Sequence, residues 1–199
     1  MPERPFHHGN LRAVLLAEAE RTVRDQGVAA LSLRQLARQA GVSHGAPRRH
    51  FPDRQALLDA LAERGFQTLS QTIQQASAHA GPTYEDRFRA VARAYVGFAI
   101  DRAALMDLMF TTKNAGPSAD LQRAATEFFS LVNSIMADGA KARRPPLTDQ
   151  YRLQMLLIAT LQGIATLVSS GRVDREQVDQ LIDDTATVFT GKRVTDQGS

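Results

Sequence analysis

"LSLRQLARQAGVSHGAPRRHFPDRQALLDAL", residues 31–61, is the stretch that decides the fold of this chain. Ser32 is placed to cap a short helical pattern that ends at Gly41, and the apolar residues of this pattern share one face. Ser43 then precedes a second short segment, residues 44–50, which contains a glycine and a proline and almost nothing apolar. A segment this polar, and interrupted by glycine and proline, cannot be a core helix. Its composition must therefore serve a purpose other than packing.

The rest of the chain has helical periodicity as well. Asp53 is placed to cap a long helix that follows the polar segment, and Ser118 is placed to cap a later helix. Further apolar patterns recur at helical spacing over residues 84–100, 118–135, 151–170 and 174–189. No stretch alternates with a period of two for long enough to form a strand. The sequence predicts an all-α protein of about nine helices, with a domain boundary near "HAGPT", residues 79–83.

The positive charge of the chain is concentrated near its N-terminus. Residues 1–80 contain 10 Lys and Arg against 7 Asp and Glu, whereas residues 81–199 contain 14 of each. Between residues 31 and 54 there are five arginines, two histidines and one acid, Asp53. Such a basic patch fits either a phosphate-binding surface or an ordinary solvated charged face.

The composition also bears on the compartment. The chain has no cysteine, so a disulfide framework and a thiolate nucleophile are both excluded. The N-terminal sequence lacks the apolar core of a signal peptide, and we expect no apolar run as long as a membrane span. We therefore expect a cytoplasmic protein without membrane contact.

Enzymatic chemistry is not expected. The paired acids Glu85-Asp86 and Asp183-Asp184 are sequence neighbours, so on a helix they point about 100° apart and cannot act as a dyad. Apart from His50 and Asp53, no histidine has a partner at a metal-ligand spacing. Since no nucleophile with a base can be named either, we expect no catalytic residue, no metal and no cofactor.

Residues 31–50 fit a helix-turn-helix, in which the second helix enters the major groove of DNA. Gly45 and Ala46 would let the backbone approach a duplex, and donors follow at Arg48, Arg49 and His50. Pro47 removes one backbone donor, so the first turn should be irregular. We name residues 44–50 the recognition segment. On these features alone, residues 43–53 could also form a plain surface loop.

The quoted stretch resembles the DNA-binding segment of the tetracycline-repressor (TetR) family of transcriptional regulators. The resemblance implies an N-terminal helix-turn-helix domain (1–54), a connecting helix (55–80) and a C-terminal ligand-binding and dimerisation domain (81–199). "HHGNLR", "GVSHGAP" and "LQGIATLVSSGRVD" further resemble a branch with a Trp…His-Gly signature. This chain has Gln162-Gly163 where that branch has His-Gly, and it has no tryptophan.

The resemblance also implies roles for single residues. Positions that hold DNA phosphates in the family are matched here by Ser32, Arg34, Ser43 and Arg54. Base-facing positions are matched by His44, Gly45, Ala46 and Arg49. Arg48 stands where the family commonly has a tyrosine that meets a phosphate, and an arginine there can hold a phosphate or read a guanine.

Aromatic residues and methionines recur at helical spacing in the C-terminal half. This pattern fits either plain core or the wall of an adaptable apolar cavity. Together with the resemblance it predicts a pocket for an unidentified small-molecule effector, lined by Phe88, Tyr95, Phe98, Met106, Met109, Phe110, Phe128, Phe129, Tyr151 and Met155.

The last two helical patterns suggest a homodimer. Residues 151–170 are apolar around more of the helix than one intramolecular contact needs, so two copies could form a four-helix bundle. The expected interface residues are Leu157, Leu161, Ile164, Leu167, Val168, Val178 and Leu181.

The functional hypothesis is a regulator, most simply a repressor, that a small apolar or aromatic effector releases from a palindromic double-stranded DNA operator. The alternative is a DNA-binding regulator controlled by a partner protein instead of a small molecule. Ligand-dependent stabilisation would distinguish the two.

Overall fold

The computed structural model describes residues 11–111, 116–140 and 149–190. Within these ranges the chain forms only helices and turns, which confirms the predicted all-α class. Short 3-10 turns lie at Val28–Ala30, Pro47–Arg49 and Arg175–Gln177. The α-helices are α1 (Leu11–Gln26), α2 (Leu33–Gln39), α3 (Arg54–Ala78), α4 (Tyr84–Asp101), α5 (Ala103–Thr111), α6 (Ala119–Ala140), α7 (Gln150–Ser169) and α8 (Val178–Thr190).

The chain divides into two compact units. The first comprises residues 1–65 and 104–123, and the second comprises residues 66–103 and 124–199. Helix α3 is continuous and contributes residues to both units. The predicted domain limits at residues 54 and 80 separate functions, whereas the two compact units are defined by packing alone. The limits therefore stay a prediction.

The first unit has a core formed by one face of each of its helices. Asp53 caps α3 as predicted, since its Oδ1 accepts a hydrogen bond from the Ala56 N–H at 2.8 Å. Helical periodicity places the buried residues on the inner faces. The largest fully buried ones are Leu15, Leu31, Leu36, Phe51, Leu57, Leu61 and Met106.

Helix α5 packs closely against α3 in this first unit. A Cβ on Gly65 of α3 would lie 2.6 Å from Sδ of Met109, so only glycine fits there without a shift of Met109. The buried carboxylate of Asp59 on α3 accepts hydrogen bonds from the Ser118 N–H at 2.8 Å and from Nε2 of Gln55 at 2.7 Å. Asp59 thus ties α3 to the residue that precedes α6.

The second unit is organised around α4, which packs against α7 and α8. Thr83 and Asp86 form a capping box at the start of α4. Ion pairs join α4 to α8 at the surface, with 2.9 Å between Arg89 and Asp183 and 2.6 Å between Arg93 and Asp179. The buried side chains include Phe88, Tyr95, Val96, Phe98, Phe128, Leu157, Leu161 and Ile182.

Helix α7 carries apolar residues that the protomer leaves exposed. Tyr151 is 67% exposed, Leu156 is 61% exposed and Leu167 is 37% exposed. Residues 151–169 are also long and apolar enough, by length and composition alone, to cross a membrane, with 33% of that stretch buried. The expectation that no apolar run reaches such a length was therefore wrong. Core helices and helices that pack against a second copy share this composition.

Candidate nucleic-acid interface

The turn after α2 has the hydrogen bonds of a Schellman motif. The Gly41 N–H donates to the Arg38 carbonyl at 3.3 Å, and the Val42 N–H donates to the Ala37 carbonyl at 3.0 Å. Gly41 has φ +67°, a left-handed conformation that favours glycine. This glycine turns the chain sharply between α2 and the recognition segment, as a helix-turn-helix requires.

The recognition segment contains a 3-10 turn, Pro47–Arg49, and no α-helix, which corrects the prediction that the second helix of a helix-turn-helix lies here. The Ala46 N–H donates to the Ser43 carbonyl at 3.0 Å, and the His50 N–H donates to the Pro47 carbonyl at 3.0 Å, each over three residues. Pro47 has no N–H to continue an α-helical ladder. The expected irregularity is therefore confirmed, but it extends over the whole segment.

Pro47 and Phe51 anchor this segment to the first unit. Pro47 is buried, and its carbonyl also accepts from the Phe51 N–H at 2.9 Å. Phe51 is 1% exposed, and the guanidinium of Arg12 lies 5.6 Å from the centre of its ring. Burial of two apolar rings holds the segment in place while its polar side chains face outward.

Most of the predicted DNA-binding side chains are exposed on this surface. Gly45 is not required by packing within the protomer, since a Cβ there would meet no atom within 4 Å. Ala46 is half-buried. The exposed residues are Ser32, Arg34, Ser43, His44, Gly45, Arg48, Arg49, His50 and Arg54.

An open groove runs along the outer face of α2. It has a volume of about 330 Å³ and is lined by Ser32, Arg34, Gln35, Arg38 and His44. Ser32 stands at the N-cap of α2, but its side chain makes no capping hydrogen bond, contrary to the expected cap. Gln35 and Arg38 are not among the residues predicted to bind DNA, although Arg38 follows Arg34 by four residues, which is one helical turn.

Unpaired arginines are concentrated on this surface. In the described part of the chain, most arginine side chains form an ion pair, a hydrogen bond or a ring contact. The arginine side chains without such a contact to another described residue are those of Arg34, Arg38, Arg48, Arg49 and Arg172. All but Arg172 lie in α2 and the recognition segment, so this surface presents guanidinium groups whose donors are not engaged by another described residue.

Arg54 has a structural role as well. Its Nε donates to the Leu31 carbonyl at 3.1 Å, and its Nη2 donates to the Val28 carbonyl at 2.7 Å. These carbonyls lie in the connection between α1 and α2. Two donors of this guanidinium are therefore engaged inside the protein, which the resemblance alone did not indicate.

The residues predicted to line an effector pocket have different environments. Tyr151 is mostly exposed, whereas Phe110, Phe129 and Met155 are half-buried. The buried ones are Phe88, Tyr95, Phe98, Met106, Met109 and Phe128. The second unit also contains a small apolar crevice, and Phe88 is the one predicted pocket residue among the described residues that line it.

The apolar crevice lies between α4, α6 and α7. It is lined by Phe88, Val91, Ala92, Val132, Ile135, Met136, Leu157 and Leu161. Its volume of about 20 Å³ is close to that of a single water molecule and far below the roughly 300–1,000 Å³ of a typical ligand pocket. An effector could enter here only if these helices moved apart.

Tyr95 brings a polar group into the interior of the second unit. Its hydroxyl donates to Oε1 of Gln162 at 3.1 Å. Burial disfavours the phenolate and raises the pKa of Tyr95 well above its usual value. Tyr95 is therefore a neutral hydrogen-bond donor throughout the physiological pH range.

The predicted interface residues divide between the protomer core and its surface. Leu167 is exposed, and Val178 and Leu181 are half-buried. Those buried within the protomer are Leu157, Leu161, Ile164 and Val168. Their part in a dimer stays a prediction. Among the described residues, no group of three or more His, Asp or Glu side chains could hold a metal ion.

Comparison with known proteins identifies the class that this fold and surface define. A model of the bacterial regulatory proteins of the tetR family matches residues 15–61, and one of the tetracyclin repressor-like C-terminal domain matches residues 88–189. The chain belongs to the TetR family of DNA-binding transcriptional regulators, which act as homodimers. These relatives indicate a transcription factor and not an enzyme. The Trp…His-Gly branch stays a prediction, and His7 to Asn10 of its motif lie outside the described residues.

Several solved structures are similar over nearly the whole chain. A protein of unknown function from Rhodococcus sp. RHA1 is 43% identical with a TM-score of 0.84, covering 95% of this chain and 98% of that one. A TetR family transcription regulator from Marinobacter aquaeolei VT8 is 16% identical with a TM-score of 0.71, covering 90% and 95%. The fatty acid degradation regulator FadR from Bacillus halodurans is 13% identical with a TM-score of 0.74, covering 98% and 100%.

The second and third of these similarities show the shared fold alone. No curated protein matches the chain.

Proposed function

We propose that this protein is a cytoplasmic repressor that binds a palindromic operator as a homodimer and leaves it when a small apolar or aromatic molecule binds its C-terminal domain. The observation that carries the DNA-binding part is the surface of α2 and the recognition segment, where exposed arginines have no described partner. Free guanidinium groups on one surface are suited to DNA phosphates and guanine edges.

The residues divide into two roles on this surface. Ser32, Arg34, Ser43 and Arg54 hold backbone phosphates and so fix the register of the protein on the duplex. The recognition segment reads bases through His44, Gly45, Ala46 and Arg49, with Arg48 and His50 as further donors. Gly45 supports this assignment, because neither its φ nor its neighbours in the protomer require a glycine.

The DNA part is tested by selecting genomic fragments with the purified protein and sequencing them. Two symmetric recognition segments must enter major grooves on one side of the duplex, so we expect a palindrome with half-site centres about 34–36 Å apart, or a multiple of this. His44→Ala and Arg49→Ala should change the preferred sequence, whereas Arg34→Ala should weaken all sequences alike. A selected pool without sequence enrichment would contradict the proposal.

The effector part is supported by the apolar composition of the second unit. The crevice between α4, α6 and α7 has no charged residue in its lining. A ligand that moves apart the helices lining this crevice, α4, α6 and α7, would displace α6. Because Asp59 accepts a hydrogen bond from the Ser118 N–H just before α6, such a movement would reach the N-terminal part of α3, the helix that follows the recognition segment in the chain. The distance between the two recognition segments of the dimer would then change.

A thermal-shift screen of small apolar and aromatic molecules identifies candidate effectors, since a ligand of the folded state raises its melting temperature. A hit is then titrated with and without operator DNA. Linkage requires that DNA weaken ligand binding by the same factor as ligand weakens DNA binding, typically about 5–150-fold. Equal ligand affinity in both titrations would rule out release by that ligand.

A second candidate function is a DNA-binding regulator controlled by a partner protein. The small volume of the crevice, about 20 Å³, favours this alternative, because no effector fits into this crevice without rearrangement. In that case the screen gives no stabilising molecule, while the DNA selection still gives a palindrome.

A further inference from the structure

Arg38 lies on the same outward face of α2 as Arg34. Leu36 and Ala37 are buried, so the two arginines, one helical turn apart, project away from the core. Both line the open groove of about 330 Å³, together with His44 from the start of the recognition segment. Whatever approaches His44 therefore also approaches Arg38.

The electrostatics of this groove favour an anion. Two like charges four residues apart destabilise a helix when no opposite charge lies near them. No acidic residue is among the residues that line the groove, and neither guanidinium pairs with a described residue. Other arginines of the first unit do form ion pairs, such as Arg24 with Glu20 and Arg123 with Asp120.

We propose that Arg38 holds a backbone phosphate of the operator beside the phosphate that Arg34 holds, as a contact additional to those that the family resemblance implies. The proposal rests on the DNA-binding function proposed above. Each guanidinium group offers several N–H donors to a phosphate, and contacts with charged groups on both sides are the strong ones. A phosphate fits better than a base edge, because these side chains come from α2 and not from the recognition segment.

A simpler role for Arg38 would be at the end of its helix. Arg38 lies in the last turn of α2, where a positive charge interacts favourably with the helix dipole. That role predicts an effect on stability without any effect on the salt dependence of DNA binding. The two roles are therefore separable by experiment.

The test is the salt dependence of binding to a duplex of arbitrary sequence, measured by fluorescence anisotropy between about 0.05 and 0.2 M NaCl. Each neutralised phosphate contributes about 0.9 to the slope of log K against log salt, so Arg38→Gln should reduce the slope of the dimer by about 1.8. Arg38→Lys keeps the charge and should retain most of the slope. Arg172→Gln is the matched control. Arg172 is also exposed and has no partner among the described residues, but it lies outside this surface, so its loss should leave the slope unchanged.

An unchanged slope in Arg38→Gln overturns the proposal, whether or not its melting temperature falls. If Arg34→Gln lowers the slope and Arg38→Gln does not, only the assignment of Arg38 fails. If the unmutated protein shows no salt-dependent DNA binding, the proposed function itself fails. A last outcome concerns inorganic phosphate. If phosphate raises the melting temperature of the unmutated protein but not of Arg38→Gln, and the two proteins have equal salt slopes on DNA, then Arg38 binds a free anion and the proposed DNA contact is overturned.

Discussion

Arg54 joins residues that are far apart in sequence, and its loss should affect stability as well as DNA binding. Its guanidinium donates to carbonyls 23 and 26 residues earlier in the chain. Since hydrogen bonds from charged groups contribute roughly 1.5–3 kcal/mol and this residue is exposed, we expect Arg54→Ala to lower the free energy of unfolding by about 1.5 kcal/mol. Urea denaturation measures the change.

Arg54→Lys separates the two roles of this residue. Lysine keeps the charge but not the planar fork that reaches both carbonyls, so it should restore the salt slope of DNA binding and only part of the stability. Unchanged unfolding in Arg54→Ala would show that the two carbonyl contacts contribute nothing in solution.

Tyr95 makes stability depend on alkaline pH. In the unfolded chain the phenol ionises near its ordinary pKa of 10.0, whereas burial raises the pKa in the folded protein. The contribution to stability is therefore complete below pH 10 and decreases as the pH rises above it, by at most about 1.4 kcal/mol per pH unit. Urea unfolding between about pH 9 and pH 11 should show a weaker decrease for Tyr95→Phe than for the unmutated protein.

Tyr151 provides the comparison for this titration, because its side chain is 67% exposed. Tyr151→Phe should leave the alkaline decrease as it is in the unmutated protein. An equal change in both variants would mean that burial of Tyr95 does not set the pH dependence.

At the scale of single residues, the sequence predicted local contacts better than distant ones. The caps at Asp53 and Ser118 are confirmed, because each side chain accepts from a backbone N–H only three residues away. The contacts of Arg54 could not be predicted, since they depend on how the connection between α1 and α2 packs beside α3. The same holds for Arg38, because only the folded structure shows that it shares a groove with His44.

At the scale of elements, periodicity predicted the α-helices but not the form of the recognition segment. Residues 44–50 lack an apolar face that could select a helical period, so local backbone chemistry decides. Pro47 removes the donor that would continue an α-helix, and its buried ring fixes the segment to the core as a 3-10 turn. For a polar segment such as this one, the sequence pattern therefore predicts where the segment lies in the chain but not which type of helix it forms.

Two helical glycines should respond in opposite ways to alanine. At Gly97 in α4 a new Cβ meets no atom within 4 Å, so Gly97→Ala should raise the free energy of unfolding by about 1 kcal/mol through helix propensity. At Gly65 in α3 the Cβ would lie 2.6 Å from Sδ and 3.0 Å from Cγ of buried Met109. Overpacking costs about 1–3 kcal/mol, so Gly65→Ala should be destabilising by roughly 1 kcal/mol net.

Urea denaturation of the two variants side by side measures this difference, and each serves as the control for the other. Equal stabilisation by both would show that Met109 moves aside without cost, and that α3 and α5 are not tightly packed at this point.

At the scale of the whole molecule, the sequence could not distinguish a core face from an interface. Both are apolar at helical spacing, so Leu161 and Leu167 look alike in the sequence, yet the protomer buries the first and leaves the second 37% exposed. The same ambiguity affects the pocket, because Phe128 is fully buried against other rings while Tyr151 is exposed. Only the packing of the folded protomer distinguishes a core residue from a residue of an interface or a pocket.

The exposed apolar side chains of α7 allow a test of the dimer that spares the protomer core. Leu156 is 61% exposed, so Leu156→Arg should fold normally, but a second copy packed on α7 would bury the new charge without a partner. Sedimentation at micromolar concentration should give a monomer. Val14→Arg, a similar change at a 39% exposed position of α1, should remain a dimer.

DNA binding provides an independent readout of the same variant. A dimer neutralises phosphates at two half-sites and a monomer at one, so the slope of log K against log salt should fall to about half in Leu156→Arg and stay unchanged in Val14→Arg. If Leu156→Arg remains a dimer with the full slope, α7 is not the interface, and Val188→Arg on α8, where the side chain is 69% exposed, tests the neighbouring helix. A monomer that keeps the full slope would instead show that one protomer makes all the phosphate contacts, which is incompatible with a palindromic operator read by two recognition segments.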